Sequence, residues 1–239
     1  MTHVKNAEAF SRLVDFCTGY GGTYNPGRQT LQIERLVTQL KEARQALEQV
    51  IVAKTFYDNA VNERMQVFDQ LPRLAASVLR TLEASGAAPE KVEDARLFVH
   101  LITGYSPTSR VPVPAENGQV ATATRSTLQL AYVSRADSFA KLVEAVSTEP
   151  LYQSNEKHLS IAGLTETLNV LHQLNQRVSA ARVVWSNARI GRNQIMYLLP
   201  QSLWQTIRAV RKYVRAIFGY DSEQYAQIKN LGFTKPGKP

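Results

Sequence analysis

Apolar residues recur along residues 28–71 with the period of a helix that packs against a partner. This stretch of 44 residues contains neither Gly nor Pro, although these two types occupy 22 of the 239 positions. Its apolar seam alternates in steps of three and four, from Ile33 and Leu36 to Phe68 and Leu71. A period of 3.5 kept over five heptads predicts one long coiled-coil-like helix of about 66 Å, and therefore an elongated molecule.

The same pattern occurs a second time in the chain. At a shift of 128 residues, 14 of the 49 positions in 24–72 are identical to those in 152–200, where chance would give about three. Tyr24/Tyr152 and Pro72/Pro200 are the first and last identical pairs. Self-similarity at this level predicts an internal duplication.

Shorter matches extend both copies. The run AFSRLVDF in residues 9–16 resembles SFAKLVEA in residues 138–145, and ARLFVHLITGY resembles VRKYVRAIFGY. Each copy is therefore predicted to contain a short helix, a turn, a long helix, a break and a return helix.

Proline and glycine mark the expected helix ends. Proline disfavours a helix interior, so the long helices are expected to stop or kink at Pro72 and Pro200. The sequence leaves open whether these prolines are hairpin turns or kinks. Gly104 and Gly219 follow the return helices, where a left-handed residue is often required. Ser154 or Asn155 is the expected N-cap of the second long helix.

These patterns predict an all-α fold, an elongated helical bundle with two tandem pseudo-symmetric repeats. Repeat 1 is expected in residues 1–105 and repeat 2 in residues 126–220. Between them, residues 106–125 read as a Pro-rich connection, and residues 221–239 read as a C-terminal tail ordered by docking. The two long helices are expected to bury their seams on each other about an approximate two-fold axis.

The net charge of +8 is unevenly distributed. Residues 1–105 hold 12 Lys+Arg and 12 Asp+Glu, so the whole excess lies in the second half. No acidic residue occurs between Glu166 and Asp221. Such a segment is expected to attract anions, whether nucleic acid, lipid headgroups or acidic positions of the first half.

Three arginines occupy seam positions of the second long helix beside Trp185. They are Arg182, Arg189 and Arg192. Charged seam residues are costly unless they are paired or in water, and two interpretations remain. Either the arginines stack on the indole or pair with carboxylates of the first copy, or they form an anion- or partner-binding face. The candidate carboxylates are Asp58, Glu63 and Asp69.

A cationic amphipathic helix follows Pro200. Its basic positions, spaced i, i+3, i+4 and i+7, are Arg208, Arg211, Lys212 and Arg215. Most such faces are simply solvated, but others bind phosphate backbones, acidic partners or membrane surfaces. No recognition-helix, zinc-finger or RNA-binding motif accompanies this helix, which disfavours sequence-specific nucleic-acid recognition.

Polar residues near the seam recur in both copies and are expected to fix helix register between the repeats. They are Asn59, Arg64, Gln66, Asn187 and Gln194. Arg64 and its counterpart Arg192 are expected to make helix-to-helix hydrogen bonds. A structural role for this set is favoured over a ligand site.

Motifs for catalysis and cofactor binding are absent from the sequence. The four histidines are scattered, and Cys17 is the single cysteine, so neither a zinc cluster nor a disulfide is expected. The glycine-rich run of residues 19–27 follows a predicted helix, which favours a turn over a phosphate loop. We therefore expect no catalytic residue, no cofactor, no metal and no small-molecule ligand.

The chain start lacks a leader pattern, and no window reaches 18 uninterrupted apolar residues. We therefore expect no transmembrane segment, and we expect a cytoplasmic location. The leading functional hypothesis is a non-enzymatic helical scaffold or adaptor that acts through protein–protein interaction or self-association. The alternative is non-specific nucleic-acid or polyanion binding through the basic second repeat, and an enzyme with an unfamiliar site between the copies is a weaker third.

Overall fold

The computed structural model describes residues 2–104 and 125–234, with side chains from residue 131 onward in the second range. Every regular element in these ranges is helical, so the all-α prediction is confirmed for them. The α-helices are α1 Thr2–Gly19, α2 Ile33–Ala84, α3 Pro89–Thr103, α4 Arg125–Ser147, α5 Ile161–Asn193, α6 Leu203–Phe218 and α7 Glu223–Lys229. Two 3-10 turns, Gly21–Thr23 and Gln29–Leu31, precede α2, and a π-helical turn, Gln194–Leu198, follows α5. The predicted connection 106–125 lies outside the described residues except for Arg125.

The chain forms two compact units. Unit 1 consists of Met1–Tyr57 and Ala181–Pro239, and unit 2 consists of Asp58–Ala180. Each of the long helices α2 and α5 therefore contributes one part to each unit. The predicted division into repeats 1–105 and 126–220 follows sequence similarity rather than spatial contact, and it stays a prediction.

The core of unit 1 lies among α1, the start of α2 and α6. Phe10 and Leu13 of α1, Leu36 of α2, and Ile207 and Val210 of α6 are almost completely buried. Apolar residues of α6 recur every three or four positions, so one side of the helix packs inward and its basic residues lie elsewhere.

The C-terminal tail is held to unit 1 by hydrogen bonds and aromatic contacts. The Asn6 amide nitrogen donates to the Thr234 carbonyl oxygen (2.8 Å), and its Oδ1 accepts from the Thr234 N–H (3.1 Å). Phe233 lies against Tyr197 and Trp204, with ring centroids 6.2 and 5.7 Å away. These contacts hold the described part of the tail against unit 1.

The core of unit 2 lies among α2, α3, α4 and the start of α5. Phe68 and Leu71 of α2, Phe139 of α4, and Leu164 and Leu171 of α5 are exposed by no more than 2%. Large side chains from three helices thus fill one continuous core.

Segments that match in sequence bury matching positions. Between α1 and α4, at a shift of 129 residues, the buried pairs are Ala7/Ala136, Ala9/Ser138, Phe10/Phe139, Leu13/Leu142, Val14/Val143 and Cys17/Val146. After each helix a buried tyrosine hydroxyl donates to the carbonyl oxygen seven residues on, Tyr24 to Leu31 and Tyr152 to Leu159, both at 2.8 Å. The matched stretches therefore make the same local structure.

The sequence predicts a stop or a kink at Pro72, but this residue lies inside α2, so the helix does not stop there. Proline lacks the N–H that would bond the carbonyl oxygen four residues earlier, here that of Phe68. Arg135 of α4 donates to this oxygen through one Nη (3.0 Å), and through Nε to the Ile102 carbonyl oxygen at the end of α3 (3.0 Å). The guanidinium replaces the missing donor, and the helix continues.

The second long helix ends before its proline. The Leu199 N–H donates to the Gln194 carbonyl oxygen (3.0 Å), which closes the π-helical turn. The Ser202 N–H then donates to the Leu199 carbonyl oxygen (2.9 Å), and α6 begins at the next residue. Pro200 therefore occupies a turn between two helices.

Ser160 caps α5, rather than the predicted Ser154 or Asn155. Its Oγ accepts from the Gly163 N–H (3.2 Å), and its hydroxyl donates to the Lys157 carbonyl oxygen (2.8 Å). The N-cap therefore lies directly before the first helical residue, as capping geometry requires.

The glycines predicted at the ends of the return helices are found there. Gly104 follows α3 with φ 74° and ψ 13°, and Gly219 follows α6 with φ 96° and ψ 165°. Both φ values lie in the region that favours glycine, but only Gly104 is left-handed helical.

Candidate functional site

Three of the four basic residues of α6 are exposed. Arg208, Lys212 and Arg215 lie away from the buried apolar side of the helix. The Arg215 guanidinium lies 4.8 Å from the ring centroid of Tyr220. These three side chains of unit 1 are available to an anionic partner.

Arg211 has a different environment. It is half-buried, and its Nε donates to the Ile228 carbonyl oxygen (3.1 Å) while one Nη donates to the Leu231 carbonyl oxygen (2.5 Å). Burial lowers the pKa of this guanidinium. The structure thus places Arg211, a predicted anion-binding residue, in a contact that holds the tail.

Two of the exposed cations line a cavity of about 310 Å³ between α6 and the loop before α2. Arg208 and Lys212 come from α6, and Arg28 adds a third cation from the loop. Gln201 and Gln205 contribute amide groups. None of the residues that line this cavity is Asp or Glu, so its walls carry only positive formal charge. We call it the cationic cavity.

The cationic cavity adjoins two kinds of polar group without a hydrogen-bond partner in the described part of the chain, the first-turn N–H groups of α6 and the hydroxyl of Thr30. Thr30 lines it, and the Oγ1 of this residue is buried without a hydrogen-bond partner among the described residues. Ser202 precedes α6, is fully buried, and makes no side-chain cap to the helix. The first-turn N–H groups of a helix lack intrahelical partners and carry partial positive charge. The adjoining end of α6 therefore adds to the positive potential.

The sequence pattern identified Arg208 and Lys212 but not Arg28 or Thr30. The latter two lie in an irregular loop far along the chain from α6, and no periodicity links the loop to that helix. The one sequence signal was that Arg28 is a cation two residues after Pro26 in a predicted turn. This pattern is too common to identify Arg28 as a binding residue.

Trp185 of α5 lies in a cluster of aromatic and cationic side chains in unit 1. Its ring stacks on Tyr57, with centroids 5.4 Å apart and planes inclined by 23°. The Arg189 guanidinium lies 5.3 Å and the Lys54 Nζ 5.5 Å from its ring centroid. Stacking of Arg189 on the indole is the contact that the first interpretation of the seam arginines expected, and both Arg182 and Arg189 are exposed.

Arg192, the third seam arginine, is half-buried next to α1. Its Nε and one Nη donate to the Asn193 Oδ1 (3.1 and 2.8 Å). Burial, and then the charge of Arg189, lower the pKa of this guanidinium. Burial, and then the charge of Arg192, lower the pKa of His3, whose Nδ1 lies 2.8 Å from the Tyr197 hydroxyl. The hydrogen bonds of Arg192 therefore stay within α5, and the helix-to-helix hydrogen bond expected of this residue is not made within the ranges that the structure describes.

Of the candidate carboxylates, Glu63 pairs with another arginine. Its Oε1 lies 2.7 Å from an Nη of Arg177, and both side chains are about half exposed. An exposed pair of this kind contributes little to stability.

The amides predicted to fix helix register face solvent. They are Asn59, Gln66, Asn187 and Gln194. Exposed amides exchange hydrogen bonds with water and so add little register specificity. Arg64 differs, since it is 4% exposed, donates to the Asn175 Oδ1 (3.4 Å) and lies 4.0 Å from the Tyr132 ring centroid. Arg64 therefore makes the expected helix-to-helix hydrogen bond within unit 2.

The middle of α2 and the end of α5 carry exposed apolar residues in unit 1. The buried positions in this part of α2 are small, at Ala46 and Ala53. Larger apolar side chains nearby are each 52–64% exposed, and they are Ile51, Val52, Phe56, Val183, Val184 and Ile190. Three of them, Val52, Phe56 and Val184, line a cavity of about 530 Å³ together with Ala53, Ala188, Gln45, Glu48 and Gln49. We call this surface the apolar groove.

The described residues contain no group of three His, Cys, Asp or Glu that could hold a metal ion. Cys17 is buried in α1, and burial raises the pKa of its thiol to about 12. Its thiolate is therefore not populated at neutral pH. In the ranges 2–104 and 125–234, no helix is both long and apolar enough to span a bilayer.

The sequence matches no protein-family model, no curated protein and no solved structure.

Proposed function

We propose that this protein is a non-enzymatic intracellular adaptor that binds a partner protein at the apolar groove. The observation that carries the proposal is the cavity of about 530 Å³ that the exposed apolar side chains of Val52, Phe56 and Val184 line between α2 and α5. Contiguous exposed apolar surface with polar edges is typical of protein-interaction sites. A groove along helices suits the apolar face of another helix.

Charge favours an acidic partner over a second copy of this chain. The exposed Arg182 and Arg189 lie on α5 in the same unit but do not line the groove, whose one charged lining residue is Glu48, and no acidic residue occurs in α5 after Glu166. Unit 1 as a whole holds 17 Lys+Arg and 7 Asp+Glu, a net charge of +10. An isologous dimer through the groove would bring two units of net charge +10 together, which is repulsive. We therefore assign the groove to an amphipathic helix with acidic edges.

A synthetic amphipathic helix of leucine and glutamate is expected to bind saturably in the apolar groove. The fluorescence of Trp185 reports the binding, with Trp204→Phe in the background to remove the other tryptophan. Replacing Phe56 and Val184 together by serine is expected to weaken binding at least tenfold, because each apolar side chain buried on binding contributes about 1.5–3 kcal/mol.

The matched control is Leu97→Ser, which removes an equally exposed apolar side chain from α3 in unit 2 and is expected to leave the affinity unchanged. A leucine–lysine peptide is expected to bind poorly. Equal binding by the double variant would contradict the proposed site. Light scattering that finds a dimer disrupted by the double variant would show that a second copy occupies the groove, against the acidic partner.

A second candidate function is non-specific polyanion binding by unit 1. It is supported by the uneven charge of the units, +10 for unit 1 against −2 for unit 2, which holds 11 Lys+Arg and 13 Asp+Glu. The exposed Arg208, Lys212 and Arg215 lie in one row on α6. Such a row suits a phosphate backbone, whose binding depends on the number of cations rather than on sequence.

Changing Arg208, Lys212 and Arg215 together to glutamine is expected to weaken binding to a random DNA duplex. The slope of log K against log salt concentration is expected to become shallower by up to about 2.7, since each phosphate contact contributes about 0.9. The control variant changes Arg80, Lys91 and Lys141, three exposed cations of unit 2, and has the same net charge. Equal losses in both variants would show that net charge alone acts, against a site on α6.

We infer, finally, that the chain consists of two tandem pseudo-symmetric copies of one helical segment, each with one long coiled-coil-like helix. The 14 identities at a shift of 128 residues support this inference, together with the matching buried positions of α1 and α4 and the two equivalent tyrosine hydrogen bonds. In this interpretation each compact unit combines the N-terminal part of one copy with the C-terminal part of the other.

A further inference from the structure

The cationic cavity has the features of a discrete site rather than of a diffuse charged surface. Its walls bring Arg28, Arg208 and Lys212 together without a carboxylate among them. All three side chains are exposed, so water screens their mutual repulsion, but together they give the cavity a positive potential that attracts an anion. A solvated helix face has no need of such convergence, because its cations can point apart.

The uncharged groups of the cavity are also suited to an anion. The Thr30 hydroxyl is buried in the wall with no partner among the described residues, and leaving a buried hydroxyl unpaired is costly. Gln201 and Gln205 can donate from their side-chain amides. The first-turn N–H groups of α6, a helix of 16 residues with no acidic residue in that turn, lie at the same end.

We propose that the cationic cavity is a binding site for the phosphate group of a small phosphorylated ligand. Phosphate presents up to four oxygens and up to two negative charges, which match three cations and a hydroxyl better than the two oxygens of a carboxylate do. A volume of about 310 Å³ lies at the lower end of the range for ligand pockets and leaves room for more than one phosphate group. This property goes beyond both proposed functions, since it requires neither the apolar groove nor a polymeric anion.

Isothermal titration calorimetry of the full chain with inorganic phosphate, pyrophosphate and glycerol phosphate tests the proposal. One-to-one saturable binding is expected for at least one of them, at least tenfold tighter than for acetate at equal ionic strength. Tighter binding of glycerol phosphate than of inorganic phosphate would identify an esterified ligand, and the reverse would identify a free anion. Each of these results supports a phosphate site.

Thr30→Val is the most informative variant, because it keeps the side-chain shape and removes only the orphaned hydroxyl. It is expected to leave the melting temperature unchanged or raise it, while the affinity for the phosphate probe falls about tenfold. Arg28→Gln is expected to weaken binding by at least as much. Arg215→Gln is the control for the loss of one positive charge, since Arg215 is an exposed arginine of α6 that does not line the cavity.

Two results would overturn the proposal. One is the absence of saturable binding by all three phosphate probes at millimolar concentration. The other is wild-type affinity in both Thr30→Val and Arg28→Gln. Polyanion binding and the cavity share Arg208 and Lys212, and Thr30→Val separates the two properties. Retention of a DNA duplex by this variant together with loss of phosphate binding shows that phosphate binding requires the cavity and polyanion binding does not.

Discussion

Gly163→Ala is expected to lower the free energy of unfolding by about 3 kcal/mol. Gly163 is the third residue of α5, and the Lys157 carbonyl oxygen of the preceding turn occupies the space that an alanine Cβ would need. The hydroxyl of Ser160 donates to that oxygen (2.8 Å), which fixes it over the helix. Because the obstacle is backbone, the turn or the first turn of α5 must move. Urea unfolding followed by far-ultraviolet circular dichroism measures the loss.

Gly191→Ala is the matched control on the same helix. A Cβ built at Gly191 meets no atom within 4 Å, so only helix propensity changes. This variant is expected to be more stable by about 1 kcal/mol, since alanine is the better helix former. If Gly163→Ala gained stability like the control, the close approach of the Lys157 carbonyl would be refuted.

Arg135→Ala is expected to destabilise the protein by about 3 kcal/mol. It removes two charge-assisted hydrogen bonds, to the carbonyl oxygens of Phe68 and Ile102, each at 3.0 Å. The first of these oxygens has no N–H donor within α2, because residue 72 is proline. The change in unfolding free energy measures the loss of both bonds together with the contact of the guanidinium with the Phe68 ring, whose centroid lies 5.7 Å away.

A double-mutant cycle with Pro72→Ala isolates the bond to Phe68. Alanine at position 72 restores an N–H for the Phe68 carbonyl oxygen, so it is expected to stabilise more in the Arg135→Ala background than in the wild type. The expected coupling is about 1–2 kcal/mol. An Arg135→Ala loss of the same size in both backgrounds would show that the guanidinium does not substitute for the missing donor. Arg135→Lys keeps the charge but not the two-pronged geometry, and is expected to recover only part of the loss.

The helical class and the approximate helix positions were predictable because they depend on local patterns. Seam periodicity located α2, and Gly104 and Gly219 located the ends of α3 and α6. The continuation through Pro72 was not predictable, since it depends on a guanidinium from α4. In the first copy, at a shift of 129 residues, the position of Arg135 is occupied by Asn6, whose side chain donates hydrogen bonds to Tyr197 and Thr234 instead. The two prolines therefore have different surroundings despite matching sequence.

The candidate site was only partly predictable for the same reason. Arg208, Arg211 and Lys212 are alike in chemistry and share one helical spacing, yet Arg211 alone bonds the carbonyl oxygens of Ile228 and Leu231. The difference is set by where the tail docks. Arg28 and Thr30 belong to the cavity only because their loop folds against α6.

The sequence by itself determined that this chain is helical, which residues alternate along the long seams, and that its positive charge is concentrated. These properties depend on neighbours a few residues apart, whose spacing is visible in the linear chain. Tertiary structure decided which cations converge on a cavity, which one holds the tail, and which apolar residues stay exposed. Those outcomes depend on contacts between segments far apart in sequence, where burial and unpaired polar groups arise only after the helices have packed.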